Sequence, residues 1–171
     1  MTAQRQEANG RGPGIAFIAS GLVVAAVVLG TQAGHRAQAA TTERVVANRY
    51  SGIAIEGFDP VAYFVDASPM IGLPEFEAAE AGVVWRFRNE GNRASFVAHP
   101  DIYGPQFGGY DPCDLARGIT YAGNPRFWLI SAQRLYLFGR EENRDAFAAD
   151  PRRFLRKANT RWPALEQGLV R

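Results

Sequence analysis

Cys113 is the only thiol in this 171-residue chain, and Asp111 and Asp114 flank it. With His99 they are the residue types from which metal handling or thiol-redox chemistry would be built. A soft-metal site needs several thiolate or imidazole ligands converging in a closed shell. Within residues 50–171 this chain has one cysteine and one histidine, so no metal and no cofactor is expected. A working thiol would have to be exposed and of lowered pKa. Otherwise a lone cysteine behaves as a small hydrophobe. Two polar pairs, Asn92-Arg93 and Asn143-Arg144, stand in matching contexts. Either the asparagine closes a strand-to-helix turn while the arginine ties the helix to an acid or carbonyl, or both pairs face a ligand. The run GPQFGGY at residues 104–110 allows close backbone approach and offers Phe107 and Tyr110 as aromatic faces. It is either one wall of a groove or a plain linker. The candidate ligand-binding residues are therefore Phe107, Tyr110, Asp111, Cys113, Asn92, Arg93, Asn143 and Arg144. No catalytic constellation emerges.

The elements that must position these residues are written twice. WRFRNEGNRASFVAHPDIY at residues 85–103 recurs as YLFGREENRDAFAADPRRF at residues 136–154, a constant shift of 51. Gly72-x-Pro74-x-Phe76 recurs at the same shift as Gly123-x-Pro125-x-Phe127. One residue out of step, Gly57-Phe58-Asp59-Pro60 recurs as Gly109-Tyr110-Asp111-Pro112. Blocks matching in the same order indicate tandem duplication. Each Asp-Pro reads as a helix start, Asp accepting from first-turn amides and Pro having no amide to waste. Runs rich in Val, Phe, Trp, Tyr and Ile predict strands over 76–79 with 83–87, and over 126–130 with 135–138. A helix follows each pair, and Pro100 and Pro151 each start a further short turn. The expected fold is α+β: two tandem helix–β-hairpin–helix repeats, 57–108 and 109–154, packed as one pseudo-symmetric domain within residues 50–171. A C-terminal tail, 155–171, is clamped by Trp162 and Leu165. The expected core is Phe76, Trp85, Phe87, Phe96, Tyr103, Phe127, Tyr136, Phe138, Phe147 and Phe154.

Composition places this domain in a compartment. Residues 1–13 are polar, and residues 14–30 (GIAFIASGLVVAAVVLG) carry no charge. That length lies between a signal-peptide core and a membrane span. Ala37-Gln38-Ala39 offers a cleavage pattern, though far from the apolar run. An uncleaved anchor over 14–33 is favoured, with a cytoplasmic tail at 1–13 and a tether at 34–49. The domain then sits on the extracytoplasmic face of a cell membrane, or is secreted if the segment is cleaved. Charge is divided along the chain. Residues 50–116 hold three arginines against ten acids, and residues 117–171 hold eleven basic residues against five acids. Opposite fields help two halves dock and stay solvated. Export makes nucleic acid a poor partner.

GFDPVAYF, WRF followed by NRASFVAHPDIY, and PQFGGY together resemble the YHS-domain family, in an exported bacterial branch of mostly unassigned function. The resemblance covers roughly residues 51–165. Related small modules are implied to bind metal through cysteines in a DPVC-like start and a YFCSxxC-like strand-to-helix turn. Those cysteine positions fall here on Ala62, Arg88 and Asn92, and in the second copy on Asp114, Gly139 and Asn143. Where the exported branch often has cysteine or selenocysteine after its GGY, this chain has Asp111, with Cys113 two residues later. The expected function is a membrane-anchored, non-catalytic binding or accessory module for a protein or small ligand.

Overall fold

The computed structural model describes residues 43–169. The expected tail, apolar segment and most of the tether lie outside the described residues. Among those described, no helix is long and apolar enough to cross a membrane. The domain is α+β, with two separate two-stranded antiparallel sheets and six α-helices.

In the first half a left-handed 3-10 turn, Ile55–Gly57, leads to Asp59-Pro60 and the short helix α1, Ala62–Val65. Strands β1, Leu73–Glu80, and β2, Val83–Phe87, form the first hairpin. Helix α2, Glu90–Ala98, and the four-residue α3, Pro100–Tyr103, follow. The second half opens with another left-handed 3-10 turn, Gln106–Gly109, and α4, Pro112–Leu115. Next come β3, Asn124–Ser131, β4, Arg134–Phe138, and α5, Glu141–Ala149. The chain closes on α6, Pro151–Gln167.

Both hairpins turn through two residues of positive φ, Ala81-Gly82 and Ala132-Gln133, whose twist matches that of the flanking strands. Both also shift register at one place, between Leu73 and Glu77 and between Asn124 and Trp128. Strands β1 and β3 thereby start earlier than the apolar runs predict. Residues 53–54 make only isolated bridges, Ile53 to Val84 and Ala54 to Ala47. The tail expected at 155–171 is no separate element. Pro151 opens a 17-residue helix that continues through Pro163.

Burial follows the aromatic positions. Phe96 packs 4.9 Å from Trp85 and 5.2 Å from Phe87. Phe147 packs 5.0 Å from Tyr136 and 5.2 Å from Phe138. These six are buried, while Phe76, Tyr103, Phe127 and Phe154 are half-buried at the margins. Alternation along β4 joins the halves. Tyr136 and Phe138 face the second cluster, and Leu135 and Leu137 enter the first beside Phe58, Val61 and Tyr63. The Tyr63 hydroxyl donates to the Pro125 carbonyl at 2.9 Å. An ion pair between the halves, Arg126 with Glu56 at 3.7 Å, is largely exposed and contributes little. Docking is thus apolar, whatever the charge division adds at long range.

Candidate functional site

The two Asp-Pro turns hold matching polar clusters. Asp59 is fully buried. Its Oδ1 accepts from the Val61 and Ala62 amides at 2.8 and 3.3 Å. Its Oδ2 accepts from the Arg88 amide at 2.8 Å and Asn92 Nδ2 at 2.6 Å. Asp111, also fully buried, has the same four kinds of donor. They are the Cys113 and Asp114 amides at 2.8 and 3.4 Å, the Gly139 amide at 2.8 Å and Asn143 Nδ2 at 2.7 Å. Each carboxylate thus caps the turn it begins and also holds the strand-to-helix junction of its own half.

The positions where the resemblance implies metal ligands do gather around these aspartates, but with the wrong chemistry. Arg88, Asn92, Gly139 and Asn143 present N–H groups to a carboxylate. A metal needs electron-pair donors, and these groups donate protons. Ala62 has no donor atom in its side chain. Among the described residues no three His, Cys, Asp or Glu side chains are grouped to hold an ion. The residues present do not fit that metal.

The second half adds a feature the first lacks. Asp114, only 3% exposed, takes the place of Ala62. It accepts from the guanidinium groups of Arg117 and Arg140 and, at 3.2 Å, from Asn143 Nδ2. Arg140 also lies 5.8 Å over the Tyr121 ring. Cys113 is buried beside this cluster, its thiol donating to the Asn143 carbonyl at 3.4 Å. Burial, then the Asp111 carboxylate, push the thiol up to about 12. At neutral pH it is a protonated core group. His99 is exposed at the α2–α3 junction and makes no side-chain capping bond to α3.

The remaining candidates separate. Arg93 pairs with Glu90 at 2.6 Å, and Arg144 with Glu141 at 2.7 Å and Asp145 at 2.8 Å, on exposed helix surface. The guanidinium beside Glu90 lowers that carboxyl. Tyr110 is fully buried, its hydroxyl donating to the Glu43 carbonyl. Phe107 alone of the eight candidates lines a cavity of about 760 Å³. That cavity lies beside residues 104–108, the β1–β2 turn and α6, with residues 43–49 along one side. Phe107 has φ 56° and lies edge-on to Trp162, ring centroids 5.7 Å apart.

Pairing of the Asp-Pro aspartate with the helix asparagine escaped the sequence reading, although both identities recur at nearly equal separation. Nothing in the sequence marked Arg117 and Arg140 as partners of Asp114, or Trp162 and Glu43 as neighbours of Phe107. No protein family, curated protein or solved structure matches the chain.

Proposed function

We propose that this chain is a non-catalytic binding or accessory module of YHS-like type, held on the extracytoplasmic face of a membrane by its N-terminal apolar segment. Its domain is two tandem copies of one helix–hairpin–helix unit. The second copy has kept its aromatic filling and given its polar positions to hydrogen bonding. The matched distances around Asp59 and Asp111 support this view of the copies.

The observation that carries the binding role is the cavity beside residues 104–108. At about 760 Å³ it falls in the size range of small-ligand sites, and aromatic walls with a few polar groups are their usual lining. The thiol alternative draws no support from a buried, protonated Cys113.

The test is thermal unfolding of the full chain in detergent, followed by tryptophan fluorescence, with separate panels of amines, carboxylates, amino acids and sugars. A ligand bound only by the folded state raises its stability. At least one panel should raise the midpoint by a few degrees. Filling the cavity with Gln106→Trp should remove that rise. If no panel moves the midpoint, the binding reading is wrong.

A further inference from the structure

We propose that the outward face of α6 docks on the anionic lipid of a bilayer, a contact that rests on the membrane-held reading above. Arg152, Arg153, Arg156, Lys157 and Arg161 are all exposed along this helix. No acid occurs between Asp150 and Glu166. With about 3.6 residues per turn, Arg153, Arg156 and Lys157 face away from Ala158, which is buried in the cluster of Tyr110 and Leu115. Arg152 and Arg161 lie on the two flanks.

These charges are left over from the fold. Seven arginines outside α6 each pair with a carboxylate. The five cations of α6 form no ion pair among the described residues. Like charges at this spacing repel one another, and lipid phosphates relieve that repulsion. Basic clusters close to a membrane anchor are drawn to anionic leaflets in this way.

Position is a second, independent argument. The described chain enters the domain beside α6. The Glu43 carbonyl accepts from the Tyr110 hydroxyl, and the Tyr110 ring lies 5.8 Å from that of Trp162 in α6. The expected anchor ends at residue 33, so residues 34–42 hold this entry point within about 35 Å of it. The loop after α4 also borders the helix. A side-chain carbon on Gly118 would lie 3.0 Å from Arg161 Nη1, and the adjacent Ile119 is 53% exposed. An apolar side chain there can enter the headgroup layer beside the cations. The acidic first half of a second copy has the right sign of charge but fits less well. Its Glu56, Asp66, Glu77 and Glu90 already hold arginines.

Lys157 is the chain's only lysine, so its acylation reports on this face. The full chain is reconstituted into vesicles of phosphatidylcholine, alone or with phosphatidylglycerol. Acylation by a membrane-permeant reagent is then timed on the Lys157 peptide by mass spectrometry. Phosphatidylglycerol should slow it about fivefold or more, and added salt should reverse the effect. Arg153→Gln combined with Arg156→Gln should remove most of the slowing. Both positions are exposed and glutamine suits a helix, so the fold is kept. Arg126→Lys places a comparison amine on β3, which should react alike in both vesicles. Equal slowing at that amine would reflect the field of the bilayer alone and overturn the inference, as would equal Lys157 rates in both lipids. Slowing in neutral vesicles that grows with protein density would assign the face to a second copy, and the inference would again fail. In those cases a chain that still floats with neutral vesicles keeps the membrane-held reading. A chain that floats with neither kind loses both.

Discussion

At the scale of single residues, the structure depends on two buried carboxylates whose charge is spread over four donors apiece. Removing Asp59 or Asp111 strands two turn amides, a junction amide and an asparagine. Asp59→Ala and Asp111→Ala should each lower the unfolding free energy by about 2–4 kcal/mol in urea titrations. Asn143→Ala should cost more than Asn92→Ala. Asn143 is buried and serves both Asp111 and Asp114, whereas Asn92 is partly exposed and serves Asp59 alone. Equal losses would contradict the second-half network. Cys113 gives a test by pH. Its thiol is raised from 9.0 to about 12 in the folded chain, so above pH 9 the unfolded chain releases this proton while the folded one retains it. Its contribution to stability is complete below pH 9 and is lost as pH rises toward 12. Denaturant midpoints should fall across that interval, and Cys113→Ala should reduce the fall. At pH 8 the native thiol should resist a disulfide reagent that labels it at once in denaturant.

Elements are set by packing at defined places. The left-handed turn before α4 passes under residues 43–46, and the Val46 amide donates to the Gly108 carbonyl at 2.8 Å. A side-chain carbon on Gly108 would lie 1.9 Å from the Arg44 carbonyl oxygen, at φ +62°. Gly82 has a similar φ, +80°, but its added carbon meets nothing within 4 Å. Gly82→Ala should therefore cost about 1 kcal/mol. Gly108→Ala should cost clearly more and displace residues 43–46, read as faster amide exchange at Val46. Phe96→Ala and Phe147→Ala each empty the centre of an aromatic cluster and should cost about 3–5 kcal/mol. Helix α6 gained its length from context. Pro100 and Pro151 each open a helix, but the inner face of α6, with Ala158, Trp162 and Leu165, packs on Tyr110 and Leu115. The shorter α3 ends at Gly104, whose added carbon would meet the Pro100 carbonyl at 2.7 Å.

At the scale of the whole domain, residues 43–169 should unfold as one unit, because β4 supplies both clusters. Leu135 and Leu137 lie with the first half's Phe58, Val61 and Tyr63, while Tyr136 and Phe138 hold the second half's ring cluster. Amide exchange in β2 and β4 should report the same opening free energy, and Leu137→Ala should lower both together by about 2–5 kcal/mol. Loss of protection in one hairpin alone would show that the halves are separable. The cavity is also a property of this scale. Trp85 comes from a strand, Phe107 from a left-handed turn, Trp162 from the last helix and Glu43 from the segment preceding the domain.

The sequence by itself determined the α+β class, both hairpins, the helix start at Asp111-Pro112, and six of the ten ring positions expected to fill the interior. Those follow from local periodicity, capping chemistry and aromatic spacing, which act over a few residues. Only the tertiary structure decided that Asp59 meets Asn92 and Asp111 meets Asn143, because a carboxylate's second oxygen is free to choose any donor the fold brings. It also sent Tyr110 into the core and left Phe107 on a cavity wall, though both stand in one short loop. Two left-handed residues between them, Gly108 and Gly109, turn the chain and so set which ring is buried.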